Sequence, residues 1–213
     1  MTSPRRFAVG AAAFTLLVTA CAHGARPSFG VATTTGSPST TSATGDPLVD
    51  QLLSRIDGVS SQTFTATYVL TRKLGGQVAN GTVAQQPPKL AITVRDTKFF
   101  AGDQERTCTI STKHCEDGIS AQLIADVATS TGFYGPAAAA EIRVSMGRRN
   151  SAPTNDAREI AGQPATCITI PVGTGEEVYC VLTTGVIALT DRADVRVEMT
   201  SYVPAADAAA FTI

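Results

Sequence analysis

In the stretch Phe64-Thr65-Ala66-Thr67-Tyr68-Val69-Leu70, the residues Phe64, Ala66, Tyr68 and Leu70 alternate with Thr63, Thr65, Thr67 and Val69. A period of two places the first set on one face of a β-strand and the second on the other. Reading outward, Gly75-Gly76 turns the chain and Gln77–Gln86 returns it. Pro87-Pro88 breaks that run, and Leu90, Ile92 and Val94 alternate again. Phe99 and Phe100 start a further strand, Gly102-Asp103 is a turn, and Cys108 to Cys115 is a tight pair of strands. Asn80-Gly81-Thr82 matches a glycosylation sequon and reads here as backbone geometry. The sum is a meander of antiparallel strands.

Before this meander, Asp46-Pro47 supplies an N-cap and a proline at the first helical position. Leu48, Val49, Leu52, Leu53, Ile56 and Val59 then share one helical stripe, and Gly58 suits the end. After the meander, Ile119, Leu123, Ile124 and Val127 form a helix face, Phe133-Tyr134-Gly135-Pro136 interrupts it, and Ala137–Met146 reads as a second short helix. Arg148–Asp156 is polar and reads as a surface loop. Strands resume with Ile168, Ile170 and Val172, turn at Gly173-Thr174-Gly175, return through Val178, Cys180 and Leu182, and turn again at Thr184-Gly185 into Val186–Leu189. Val195, Val197 and Met199 form the last strand, and Phe211 lies in a small-residue tail. The fold class expected is α+β, a large antiparallel sheet with its helices gathered on one face.

The amino terminus has a separate logic. Arg5-Arg6 precede an apolar run, Phe7–Ala20, and Val18-Thr19-Ala20 lead into Cys21. Basic start, apolar middle and small residues before a cut are the order of an export signal. The run is shorter than the roughly 20 residues a helix needs to cross a bilayer core. Residues 22–45, rich in Ser, Thr, Gly and Pro, lack the apolar periodicity that offsets ordering entropy and read as a flexible tether. The expected organisation is therefore 1–20 signal, 21–45 acceptor cysteine and tether, and 46–213 one globular domain.

The chain of 213 residues carries 17 Lys+Arg against 18 Asp+Glu, and removal of Arg5 and Arg6 makes it more acidic. No basic stripe is left to neutralise phosphates, so nucleic acid is not an expected partner. Of five cysteines, Cys21 belongs to the leader boundary, leaving Cys108, Cys115, Cys167 and Cys180. Four cysteines permit three pairings. Local geometry favours Cys108–Cys115 and Cys167–Cys180, each pair bracketing a hairpin on which the two residues face one another. Zinc is the competing reading, weakened because no Cys-x-x-Cys occurs and His114 is the sole histidine besides His23.

Catalytic signals do not survive weighing. Gly173-Thr174-Gly175-Glu176-Glu177 lacks the Lys-[Ser/Thr] of a phosphate loop, and adjacent strand carboxylates such as Glu176 and Glu177 point to opposite faces. No Gly-x-Ser-x-Gly or His-Glu-x-x-His occurs, and a disulfide at Cys115 removes the thiol beside His114. The expectation is a protein that is not an enzyme and needs no cofactor.

Two resemblances sharpen this reading. Val18-Thr19-Ala20-Cys21 resembles the lipobox of bacterial lipoproteins, which implies a diacylglyceryl group on Cys21 and an anchor on the outer face of the cell membrane. The layout from Leu48 to Phe211 resembles the LolA/LolB lipoprotein-carrier superfamily and the related actinobacterial LprG/LppX-type lipoproteins. The points of contact are the first helix, Phe64–Tyr68, Pro87-Pro88-Lys89-Leu90, Val178-Tyr179-Cys180, Gly185-Val186 and Val197–Tyr202. The resemblance implies a curved half-barrel whose concave face is covered by helices, with an apolar cavity between them. Phe64, Tyr68, Leu90, Ile92 and Val94 would then line the sheet side of the cavity, and Leu52, Ile56, Leu123 and Val127 the lid. The implied ligand is an acyl lipid, held by burial of methylene groups at about 0.8 kcal/mol each. The alternative is the same fold with a packed interior, acting as an envelope adaptor or sensor for a protein partner.

Overall fold

The computed structural model describes residues 43–102, 105–126 and 128–213. The signal, Cys21 and the tether up to residue 42 lie outside these described residues, as does Val127. Residues Thr41–Ile213 form one compact unit.

The first element is α1 (Pro47–Asp57). The Asp46 carboxylate accepts from the Leu48 and Val49 amides at 3.0 and 3.2 Å, satisfying donors that the helix leaves free. Its buried stripe is Val49, Leu52, Leu53 and Ile56. Six strands follow: β1 (Phe64–Arg72), β2 (Val78–Gln86), β3 (Lys89–Val94), β4 (Thr97–Ala101), β5 (Arg106–Thr109) and β6 (His114–Asp117). Then come α2 (Gln122–Ala125) and α3 (Pro136–Arg148). The chain ends in β7 (Thr154–Ile160), β8 (Gln163–Val172), β9 (Gly175–Leu182), β10 (Ile187–Asp191) and β11 (Val195–Val203).

All strands join one 11-stranded sheet, ordered β6-β5-β4-β3-β2-β1-β11-β10-β9-β8-β7. Each adjacent pair is antiparallel. Two meanders are thus stitched together by β1 and β11, and the sheet stays open, with β6 and β7 as its edges. Sheet dominates: the α+β expectation is corrected towards a mainly antiparallel fold with few helices. The cause is local. The apolar face read from Ile119 to Val127 condenses to the single turn of α2, and polar Thr154–Ile160 becomes an edge strand, where one exposed row of backbone groups tolerates a polar sequence.

Register explains the alternation of β1. Ala66 pairs across to Val83, Val83 to Ile92 and Ile92 to Phe99, so these apolar residues share one face. Tyr68 stands opposite Gly81, and Gly81 opposite Val94. A Cβ on Gly81 would come within 2.7 Å of Leu70 Cδ1, so the glycine makes room for Leu70 and the Asn80-Gly81-Thr82 triplet is a packing feature. Both cysteine pairs sit directly opposed across hairpins and form disulfides, Cys108–Cys115 and Cys167–Cys180, with Cα separations of 4.0 and 3.9 Å. Two such crosslinks fit an extracytoplasmic, oxidising location.

Candidate functional site

The face shared by Phe64, Tyr68, Leu90, Ile92 and Val94 is the covered one, as the alternation requires. What covers it is the segment between β6 and α3. Phe133 meets Tyr68 edge-on with centroids 5.0 Å apart, Tyr134 lies 6.0 Å from Phe64, and Tyr202 stacks on Phe64 from β11 at 6.0 Å. Ile124 of α2 joins the same cluster, which also takes in Ile92, Val94, Phe99 and Val197. Exposure decides whether a hollow remains: Phe64 is 0%, Tyr68 1%, Ile92 1%, Val94 3% and Phe99 1% exposed. Side chains lining an open, water-sized volume would show accessible surface. These meet protein atoms instead, whereas Leu90, Ile119, Val178 and Tyr202, packed against the same cluster, are only partly buried.

Polar groups lock the closure. The Tyr68 hydroxyl donates to the Ile187 carbonyl at 3.0 Å, and the Ile187 amide donates to the Tyr134 carbonyl at 2.8 Å, so one residue of β10 ties β1 to the covering segment. Burial holds the Tyr68 phenol well above its ordinary pKa and pushes that of Tyr134 up to about 12. Gln85, opposite Phe64, is buried and donates to the Val59 and Gln62 carbonyls at 2.6 and 2.8 Å, fixing the turn after α1. At Gly135 a Cβ would fall 2.6 Å from Val59 Cγ1, so this position brings the covering segment close to the end of α1.

The residues expected to line a lid separate. Leu52 and Ile56 lie in a second cluster, packed with Ala138, Ile142 and Met146 of α3 against Ile168, Ile170, Tyr179, Val181 and Ile187. They cover the β8–β10 wing rather than Phe64 and Tyr68. Leu123 is 49% exposed, while its neighbour Ile124 turns inward. Val127 and Cys21 lie outside the described residues. Sequence reasoning passed over Phe133, Tyr134 and Gln85 as site residues. The first two sit in a Gly/Pro-flanked break whose aromatic character was the available signal; Gln85 had none.

A polar cluster lies at the α3–β9 contact. The Ser145 hydroxyl donates to a Glu177 carboxylate oxygen, which also accepts from the Tyr179 hydroxyl at 2.9 Å. Arg192 pairs with Glu141 at 3.0 Å, and burial raises the Glu141 pKa. Ser145 is 1% exposed, too enclosed to meet a substrate carbonyl, and these bonds read as a joint between helix and sheet. Among the described residues no group of three His, Cys, Asp or Glu is placed to hold a metal.

No family model and no curated protein matches the sequence. The fold does have solved counterparts. A chain in "The complex structure of Pseudomonas aeruginosa MucA/MucB" is similar with a TM-score of 0.52 and 11% identity, over 78% of this chain and 60% of that one. The "Crystal structure of MucB" gives a TM-score of 0.48 and 13% identity, over 79% and 64%. A DUF1329 family protein from Desulfovibrio piger gives 0.31 and 10%, over 78% and 96%. The first shows a shared fold. This chain spans less than two thirds of the length of that counterpart.

Proposed function

We propose that this protein is an exported, non-enzymatic envelope adaptor, held at the membrane through Cys21, whose LolA-like domain binds a protein partner through its outer surfaces. One observation carries the reading: Phe133 and Tyr134 occupy the space over Phe64 and Tyr68 where an acyl chain would otherwise lie. The counterpart of shared fold was solved as a MucA/MucB complex, which supports a role in protein association for this architecture. The lipobox-like Val18-Thr19-Ala20-Cys21 supports the anchor, and Cys21→Ser is expected to move the protein from the membrane to the soluble fraction.

A second reading, an acyl-lipid carrier of the LprG/LppX type, keeps one supporting observation. The cover over β1–β4 is thin, since α2 is only four residues long and buries Ile124 alone. If that cover lifts, Phe64, Tyr68, Ile92 and Val94 offer a lipid an apolar floor. Titration with a fluorescent fatty acid separates the two. The adaptor shows no saturable uptake, in wild type or in Ile92→Trp. Saturable uptake that Ile92→Trp abolishes in a still-folded protein establishes the carrier instead.

A further inference from the structure

Antiparallel order gathers the β1–β2, β3–β4 and β5–β6 turns at one end of the sheet. Backbone bonds fix the neighbours: the Ile110 amide donates to the Asp96 carbonyl, and that of Lys73 to the Asp194 carbonyl, each at 2.9 Å. Apolar side chains stand out from this end, Leu74 71%, Val78 58% and Ile110 40% exposed. Arg72, Lys73, Arg95 and Lys113 are interleaved with them on the same turns. Three carboxylates at this end are engaged, while Glu176 beside the β8–β9 turn is exposed. Asp96 accepts from the Ser111 amide and hydroxyl at 2.9 and 2.5 Å, Asp191 pairs with Lys73 at 2.6 Å, and Asp194 faces Arg192 at 3.5 Å.

The chain also enters the domain here. Ala43 and Thr44 lie with Arg143, Met146, Gly147 and Arg149 around the last turn of α3. That turn is held to the β8–β9 hairpin by the Asn150 amide on the Pro171 carbonyl at 3.1 Å and its side chain on the Gly173 carbonyl at 2.6 Å. By strand direction, the β8–β9 turn is at the same end of the sheet as Leu74 and Ile110. Ala43, the first described residue, therefore lies towards the apolar and basic end of the domain.

We propose that this end docks on an anionic phospholipid surface. Apolar turn tips that project singly suit insertion among headgroups, and flanking Lys and Arg are drawn to negative lipid. Arg95 and Lys113 are exposed, sit at turn positions with φ of 55° and 53°, and form no ion pair with a carboxylate among the described residues. The proposal rests on the export reading, which supplies a membrane nearby, and not on acylation of Cys21.

The test uses residues 41–213, which hold both core clusters and both disulfides in one compact unit. The chain has no tryptophan, so Leu74→Trp gives a single reporter at the tip. With vesicles of equal parts phosphatidylcholine and phosphatidylglycerol at low salt, its emission is expected to move to the blue, and added salt should reverse the shift. Phosphatidylcholine alone should give none. Adding Arg95→Gln and Lys113→Gln should weaken binding about thirtyfold while leaving the melting temperature unchanged. No shift with the anionic vesicles, an equal shift with neutral ones, or indifference to the two Gln changes overturns the proposal. A shift given by polyglutamate but not by vesicles also overturns it, assigning the surface to an acidic protein. Each result leaves the Cys21 anchor to stand or fall separately, because this piece lacks it.

Discussion

Gly185→Ala is expected to cost about 3 kcal/mol or more, read as a lowered urea midpoint of the 41–213 domain. Gly185 has a φ of +88°, and a Cβ there would sit 2.0 Å from the Arg55 carbonyl oxygen and 2.8 Å from its carbon. Both atoms are backbone in the last turn of α1, so no side chain can swing away. Relief requires α1 to lift from the β9–β10 turn, which separates Leu52, Leu53 and Ile56 from Tyr179, Val181 and Ile187. Gly76→Ala is the internal control. Its φ is +65° but nothing lies within 4 Å, so only the left-handed backbone penalises it, by about 1 kcal/mol. Equal losses at the two positions would mean that the close approach of α1 to the turn is not made.

Replacing both Cys167 and Cys180 with Ser is expected to remove about 3 kcal/mol, lowering the melting temperature by about 6–12 °C. The bond closes a loop of sequence separation 13, and both residues are 0% exposed, so the serine hydroxyls also enter a place with no water. The Cys108–Cys115 pair, of separation 7, joins buried Cys108 of β5 to Cys115 of edge strand β6, whose residues are exposed throughout. Its removal should cost less, and mild reductant should open it first. Differential labelling of thiols against reductant concentration reads that order; the reverse order would contradict the burial of Cys167 and Cys180.

Local chemistry made part of this legible in the sequence. Asp46-Pro47 announced α1, the period of Phe64–Leu70 announced β1 and its inner face, and two hairpins announced two disulfides. Long-range geometry did not show. The pairing of β1 with β11 joins Thr65 to Val203, and nothing in either strand names the other. Thr154–Ile160 has no apolar alternation because an edge strand with exposed faces needs none. Gly185 looked like any turn glycine, although its reason is the Arg55 carbonyl. For the site, the shared face of Phe64, Tyr68, Ile92 and Val94 was readable from alternation. Its filling was not, because Phe133 and Tyr134 belong to an irregular segment whose destination only tertiary packing sets.

We propose that the space over Phe64 and Tyr68 is filled by the protein's own side chains, Phe133 and Tyr134 above all. Native mass spectrometry of the mature domain, purified from the envelope of the organism that makes it, tests this most directly. The account predicts the bare polypeptide mass with its disulfides closed, and no lipid released by organic solvent. A domain that carries a stoichiometric two-chain lipid, freed by solvent and displaced in Ile92→Trp, would contradict it.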